Sequence, residues 1–440
     1  MYDLIVIGAG PGGMDTAIEA HKQGLSVLVV EKDKVGGTCL NRGCIPTKAL
    51  LHWADLSDKI REVSQSGVFS PFEATPNPYQ INIYKNKTVA ALQEGATLSL
   101  SKVNIIYGEA EIKDARTITI DGVDYQGEKI IIATGSEPIR LPIPGSEYAL
   151  TSDDIFNWDE EWKKDFHSLA IIGGGVIGIE FATIFHSLYP DAEITVIEYC
   201  KEILPPFDKE IAKRLRTLLS RKGIKFITGT EVKRVLPDNT IEYEKNGKAG
   251  ELKTEVVIMA TGRKPVYPKG IDTMGLATTR RGITVNKDFE TNVPGIYAIG
   301  DVNGVCMLAH AATAQGKKIL GLDVNVEVIP AVVFSTPECA MVGLTEEQCV
   351  QAGKHFIVKK SFFRANGKAV TMNETDGMVK LIIDEGTRKL LGAHICGPHA
   401  SDLIAEAAVI IANNLSVGNI KNTVHAHPTL SEILIAALDE

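Results

Sequence analysis

Residues 4–13 read Leu4-Ile5-Val6-Ile7-Gly8-Ala9-Gly10-Pro11-Gly12-Gly13. An apolar strand runs into a glycine turn. A helix follows with Met14, Ala17 and Ile18 on its apolar face, and Gly24 stands where a C-terminal cap belongs. A second strand, residues 26–30, ends on Glu31, which completes a βαβ unit. Such a turn lets the backbone approach a pyrophosphate, whose charge meets free N–H groups at the positive end of the helix. Gly8 serves the tight turn, Gly10 admits the phosphates, and Gly13 lets helix and strand pack. Glu31 stands where a carboxylate accepts ribose hydroxyls.

The same grammar returns downstream. Leu169 to Ile172 runs into Gly173-Gly174-Gly175-Val176-Ile177-Gly178, a helix passes through Phe181, Ile184 and Phe185, and the strand 194–197 ends on Glu198. Each unit is later closed by an Ala-Thr-Gly turn, at Ala133-Thr134-Gly135 and Ala260-Thr261-Gly262. One glycine fingerprint is weak evidence, because such turns also occur for backbone reasons alone. Two copies, each with its helix and distal acid, are strong evidence. The fold class is therefore α/β, with two Rossmann-like dinucleotide-binding domains. Glu198 would repel a 2′-phosphate, and Tyr199-Cys200-Lys201-Glu202 offers a single lysine, so the second site is expected to take NAD over NADP. The plainer alternative is a solvated strand-end acid.

From about residue 329 the pattern changes. Strands at 332–334 and 379–383 alternate with a helix at 401–412, and no fingerprint appears, which marks a C-terminal α+β domain. Pro142 and Pro144 mark a first linker and Lys264-Pro265 a second. The expected divisions are 1–142, 143–263, a central segment 264–328 that completes the first site, and 329–440.

The chain has 440 residues, 44% of them apolar, which is more than one core accommodates. Its net charge of −9 argues against nucleic acid or an anionic membrane as partner. Met1-Tyr2-Asp3 leads straight into a strand, so no signal peptide is expected; nor does any apolar run reach transmembrane length. The expected location is cytoplasmic. Seven cysteines, an odd count, do not suit a secreted disulfide framework. Only Cys39 and Cys44 stand close together; the other five are expected to be buried apolar residues or incidental thiols.

Cys39 and Cys44 lie in Gly36-Gly37-Thr38-Cys39-Leu40-Asn41-Arg42-Gly43-Cys44-Ile45-Pro46-Thr47-Lys48. On a regular helix, Cα atoms five residues apart are about 8 to 9 Å apart, and a disulfide tolerates less than about 7 Å. Bridging the pair needs a distorted turn, for which Gly43 and Pro46 are the expected means. A strained, accessible pair is the redox-active kind. The alternatives are two buried thiols or half of a metal site, but no second Cys or His pair with zinc-like spacing is present, so no metal is expected. Near the C-terminus stands His425-Ala426-His427-Pro428-Thr429-Leu430-Ser431-Glu432. Pro428 suits the first position of a helix, which would put His427 at its mouth and Glu432 one turn in. A carboxylate on one ring nitrogen leaves the other free as a base for a thiol. The same residues suit a capping histidine. His310, His394 and His399 lack such a pattern and are expected to be structural.

The cysteine segment resembles the signature of class I pyridine nucleotide–disulfide oxidoreductases. The likeness extends over essentially the whole chain: both glycine motifs, Ala133-Thr134-Gly135-Ser136, Tyr297-Ala298-Ile299-Gly300-Asp301 and the stretch from His425 to Glu432. The resemblance implies FAD in the first site and NAD in the second. Cys39 would be the interchange thiol and Cys44 the charge-transfer thiolate against the flavin. Lys48 and Glu180 would pair near flavin N5, Asp301 would hold the ribityl chain, and a helix from Leu308-Ala309 would point at the ring. Lys32, Gly37, Thr38, Ala110, Thr134, Gly135 and Ser136 would line the FAD; Val232 and Gly262 would join Gly173, Gly175, Val176, Ile177, Gly178 and Glu198 around the NAD.

The resemblance further implies a homodimer joined through the C-terminal domain, with His427 and Glu432 facing the partner's cysteine pair. Within the family, members that oxidise dihydrolipoyl groups of 2-oxo acid dehydrogenase or glycine cleavage complexes fit best, which makes lipoyl-bearing domains the expected partners. Glutathione- and mercuric-reductase-like members generally favour NADPH, and the latter carry a C-terminal cysteine pair that Ala436-Ala437-Leu438-Asp439-Glu440 lacks. Flavoprotein oxidases and peroxidases of this kind use one cysteine. A non-catalytic complex subunit would not need intact Cys39–Cys44 and His427–Glu432 sets.

Overall fold

Tyr2–Ile7 ends in four consecutive buried residues, the pattern of a strand covered on both faces. Val27–Glu31 and then Asn104–Tyr107 add to it on one side, all parallel. Val123–Ile132 adds on the other side, followed outward by Ile296–Ala298. The chain thus leaves this sheet, builds the second nucleotide unit, and returns to finish the first. The structure is a computed structural model describing residues 1–70, 72 and 74–439.

Helix Pro11–Lys22 crosses helix Ala309–Ile319 at small residues. A Cβ at Gly12 would meet Ala312 at 2.8 Å, and one at Gly316 would meet Thr16 Oγ1 at 1.7 Å, so the close crossing depends on these glycines. The crossing fixes the late helix against the first glycine turn.

The second sheet is four parallel strands in the order Lys225–Thr228, Glu193–Glu198, Ser168–Ile172, Val256–Met259. Helix Val176–Leu188 leads out of its glycine turn, and a three-stranded meander, Thr230 to Lys253, follows. The third sheet is antiparallel, in the order Ala331–Val333, Glu338–Gly343, Leu390–Gly397, Met378–Asp384, Phe356–Phe362. Helices Ala400–Ala412 and Glu432–Asp439 pack in its core.

Three features depart from or go beyond the sequence reading. The second linker is not open chain: Arg263–Pro265 pairs antiparallel with Ser136–Pro138, so the two crossings between nucleotide units form one ladder. Two 22-residue helices, Cys44–Gln65 and Pro78–Ser99, pack against one another beside the first sheet. Leu50, Leu51 and Ala54 of the first of these share one core with Phe181 and Phe185 of the second unit and Cys339 and Cys396 of the third sheet. All three units therefore meet beneath the helix that begins at Cys44. No helix among the described residues is long and apolar enough to cross a membrane.

Candidate active site

The two glycine turns are superimposable in their chemistry. Gly8 (φ +109°) and Gly173 (φ +112°) sit where a Cβ would strike the carbonyl of Ala133 or Ala260 at 2.4 Å. Gly13 and Gly178 sit where it would strike the carbonyl of Gly8 or Gly173 at 2.0 Å. These glycines are required by packing. The middle ones are not: a Cβ at Gly10 would approach only Gly37 Cα, at 4.0 Å, and one at Gly175 would meet nothing within 4 Å. Both turns therefore present bare backbone to open space at a helix N-terminus, which fits a pyrophosphate. Val176 and Ile177 open the second helix.

The distal acids brace these turns as well as ending their strands. Glu31 accepts the N–H of Ala9 at 2.7 Å and of Asp33 at 2.8 Å. Glu198 accepts the N–H of Gly174 at 2.5 Å and of Cys200 at 2.6 Å. Both carboxylates are buried. Gly108 donates to the Glu31 carbonyl at 2.9 Å, which holds buried Ala110 nearby, while Lys32 is exposed. Gly36 donates to the Ala9 carbonyl at 2.8 Å, so the loop carrying Gly37 and Thr38 lies against the first turn. At the second site Val232 is buried in the meander, and Gly262 has φ +104° with room around it.

A network sits where the two units meet. Ser136 Oγ donates to Asp301 at 2.5 Å, and Arg263 grips Ser136 through Nε to Oγ (2.8 Å) and Nη2 to the carbonyl (2.7 Å). Thr134 Oγ1 donates to the Val266 carbonyl at 2.5 Å, and Gly135 has φ +71° with nothing within 4 Å. Leu308 caps the helix that begins at Ala309. Asp301 is thereby fixed beside Ser136, the helix from Ala309 lies against the first turn through the Gly12–Ala312 crossing, and the polar and bare-backbone groups so gathered suit FAD.

The cysteine segment folds as two helices, Gly37–Arg42 and Cys44–Gln65, broken at Gly43. A Cβ at Gly43 would lie 2.8 Å from the Thr38 carbonyl, so glycine alone allows the break. Pro46 plays no part in it, contrary to expectation: it sits in the first turn of the second helix, where its missing N–H has no intrahelical partner to lose. The break brings Cys39 and Cys44 into hydrogen-bonding contact as free thiols. The Cys39 hydrogen bond lowers the Cys44 pKa to about 7, and Lys48 adds to the lowering, against burial and Glu180. Cys39, donating to Cys44 and partly buried, is raised. Cys44 is thus the thiolate of the pair, at the first position of a 22-residue helix, where the helix N-terminus also favours an anion.

Lys48 Nζ lies 2.9 Å from both carboxylate oxygens of Glu180. Two further contacts were not read from the sequence: the Phe334 N–H donates to Glu180 Oε1 at 3.1 Å, and Lys48 Nζ sits 4.4 Å from the centre of the Phe334 ring. One residue from each of the three units thus meets at this point. Arg42, between the cysteines, pairs with Asp33 at 3.0 Å and Asp153 at 3.3 Å. Arg263 was also missed, although it directly follows the Ala-Thr-Gly turn.

His427 Nδ1 pairs with Glu432 Oε1 at 2.9 Å, and its side chain is 77% exposed. The expected helix start is corrected: the helix begins at Glu432, and Pro428 precedes it in a loop. Glu432 reaches back to accept the Thr429 N–H at 2.8 Å, which fixes the carboxylate at the helix mouth and holds its pKa low, with His427 contributing. His425 instead packs, its Nε2 on Glu406 at 2.7 Å. His394 is fully buried on the Leu344 carbonyl, His310 contacts the Pro330 carbonyl, and His399 is exposed near Asp402. Within one chain, no hydrogen bond or ion pair among the described residues joins His427 or Glu432 to Cys39 or Cys44.

Residues 2–316 match the family described as pyridine nucleotide-disulphide oxidoreductase, and residues 329–438 match that family's dimerisation domain. A dihydrolipoyl dehydrogenase of Thermus scotoductus is 38% identical, aligned over 100% of this chain and 97% of its own. One from Mycoplasma pneumoniae is 35% identical, over 98% of this chain and 97% of its own. Among solved structures, the HOCl-induced flavoprotein disulfide reductase RclA from Escherichia coli superimposes with a TM-score of 0.86 at 27% identity, covering 100% of this chain and 99% of that one.

Proposed function

The chain belongs to the pyridine nucleotide-disulphide oxidoreductase family, and on that premise we propose that it oxidises dihydrolipoyl groups through Cys39–Cys44 and passes the electrons by way of FAD to NAD. The observation that carries this is the cysteine pair at the N-terminus of a helix whose Lys48 binds Glu180, in a chain whose full-length relatives bear the dihydrolipoyl dehydrogenase name.

In the thiol half of the reaction, a substrate thiol loses its proton to Nε2 of the imidazole of His427, whose Nδ1 is held by Glu432. The resulting thiolate attacks Cys39 in the Cys39–Cys44 disulfide. The S–S bond breaks and Cys44 leaves as the thiolate, which its low pKa favours. The imidazolium gives its proton to Cys39 as that sulfur leaves, and the second substrate thiol gives its own proton to the freed imidazole as it attacks the mixed disulfide and closes the lipoyl ring, so Cys39 is released as a thiol and His427 keeps one proton. FAD supplies the two-electron relay from the reduced cysteine pair to the nicotinamide. Gly10, Gly37, Ser136 and Asp301 would hold it, with the helix from Ala309, while Gly175, Glu198, Val232 and Gly262 would hold NAD.

The reading includes a homodimer in which the partner subunit's His427 completes each site. The matched dimerisation domain and the exposed His427 imidazole support it. It also includes lipoyl-bearing domains as partners, domain divisions at 142, 263 and 328, and a cytoplasmic location, which an odd number of cysteines suits. The test is turnover of dihydrolipoamide by the FAD-loaded protein. NAD should support it, and NADP should give a kcat/KM at least about tenfold lower, because Glu198 opposes a 2′-phosphate. No turnover of dihydrolipoamide alongside rapid reduction of another disulfide would refute the substrate assignment.

A further inference from the structure

The third sheet carries a second thiol pair. Cys339 and Cys396 are register partners on the adjacent antiparallel strands Glu338–Gly343 and Leu390–Gly397. They lie in a row across the sheet that runs Val333, Cys339, Cys396, Met378, Phe362. Directly opposed residues project from the same face, and both cysteines are fully buried in the core shared with Leu50 and Leu51. Cys396 lies close enough to raise the Cys339 pKa further, after burial, which raises it most.

A buried cysteine by itself is a small apolar residue, and opposition is a different matter. Opposed residues of an antiparallel pair have Cα atoms about 4.5 to 5.5 Å apart, and disulfides span Cα separations of about 4.4 to 6.8 Å. The backbone therefore already holds Cys339 and Cys396 at bridging distance, without the helix break that Cys39 and Cys44 require.

We propose that Cys339 and Cys396 form a second oxidisable dithiol, which closes to a cross-strand disulfide when a small uncharged hydroperoxide reaches the sheet. One thiol, deprotonated during a local opening, attacks a peroxide oxygen. The O–O bond breaks, a sulfenic acid forms and one water leaves. The opposed thiol then attacks the sulfenic sulfur, the S–S bond forms and a second water leaves. Two thiols lose two electrons and two protons, and one hydrogen peroxide becomes two waters. The second step is intramolecular between residues directly opposed across the strands, so the disulfide forms ahead of further oxidation. The first step is slow, because both thiols are fully buried away from the oxidant and burial raises the Cys339 pKa. Cys339–Cys396 thus reacts only at oxidant exposures beyond those that close Cys39–Cys44.

The test uses the native, FAD-loaded chain with increasing hydrogen peroxide, followed by alkylation in denaturant, digestion and mass spectrometry. Cys39–Cys44 closure is the internal control. At higher doses the peptides containing Cys339 and Cys396 should appear joined, with about two hydrogens lost and the link cleaved by dithiothreitol. In Cys339→Val the joined peptide should vanish and Cys396 should be recovered as a free thiol. If both thiols stay free after Cys200 and Cys306 have been oxidised, or each appears separately as a sulfinic acid, the proposal is overturned.

Discussion

Cys39–Cys44 and Cys339–Cys396 are two dithiol pairs in one chain, each with its cysteines side by side and each packed about the same helix. Their chemistry differs because their surroundings do. The first pair sits at a helix N-terminus, with Lys48 nearby, and Cys44 falls to about 7. The second sits in the middle of a sheet against leucine and phenylalanine, and burial pushes Cys339 well above the usual thiol range. Proximity of the two cysteines makes a disulfide possible in either place. What lowers Cys44 is the hydrogen bond from Cys39 first and the charge of Lys48 next, whereas burial raises Cys339.

The largest effect that separates the pairs is on turnover. Cys39→Ser and Cys44→Ser should each lower dihydrolipoamide:NAD kcat/KM by about 10³-fold or more, since the covalent step is lost. Cys339→Val and Cys396→Val should change it by less than about twofold, as volume-conserving core substitutions do. Steady-state kinetics on the four variants would settle it. A large loss in the sheet variants, with the dimer intact, would mean that the second pair serves the reaction.

The contrast also separates what the sequence makes legible from what it hides. Both glycine turns, their acids and Cys39–Cys44 lie in short segments whose function depends on local backbone: Gly8, Gly13 and Gly43 are each forced by an atom a few residues or one strand away. His427 and Glu432, five residues apart, are legible for the same reason, although Pro428, which suits a first helical position, stands in a loop and the helix starts at Glu432. Cys339 and Cys396 face one another only through strand register, and Phe334 reaches Lys48 and Glu180 only because three units converge. No periodicity in the sequence encodes such long-range meetings. Arg263 lies between these cases, adjacent to a recognised turn but informative only once Ser136 is opposite it.

The next effect isolates the proton step, which belongs to the first pair alone. His427→Ala should reduce dihydrolipoamide turnover by about 10²-fold or more, while reduction of an artificial dye by NADH, which bypasses the cysteines, persists. Glu432→Gln should cost less, because the imidazole remains. Equal damage to both reactions in a folded, flavin-containing dimer would remove His427 from the role of thiol base.

Alkylation rates measure the thiolate contrast directly. In the reduced protein, Cys44 should alkylate with a pH midpoint near 7, and Cys339 and Cys396 should stay unlabelled through the same range. Lys48 lowers the Cys44 pKa and Glu180 raises it, so Lys48→Met removes the favourable charge and leaves the unfavourable one unscreened. The midpoint should rise by about one unit, with labelling at pH 7 slowed roughly fivefold. An unchanged midpoint would assign the acidity to the Cys39 hydrogen bond and the helix N-terminus instead.

The smallest effect tests whether the third unit tunes the first pair. The Phe334 ring lies 4.4 Å from Lys48 Nζ and its N–H holds Glu180. Phe334→Leu keeps the N–H and removes the π-face, so Glu180 stays in place while Lys48 loses one of two contacts that fix it. A cation–π contact at a site about one-third exposed is worth roughly 0.5–1 kcal/mol, and only part of that reaches the sulfur. The Cys44 midpoint should therefore rise by a few tenths of a unit, slowing labelling at pH 7 by about 1.5-fold, and Phe334→Tyr should restore it. A purely structural role for Phe334 would lower thermal stability without moving the midpoint. A shift in Phe334→Leu that Phe334→Tyr reverses would show that the acidity of Cys44 is set partly by a residue that directly follows the edge strand of the sheet carrying the buried pair.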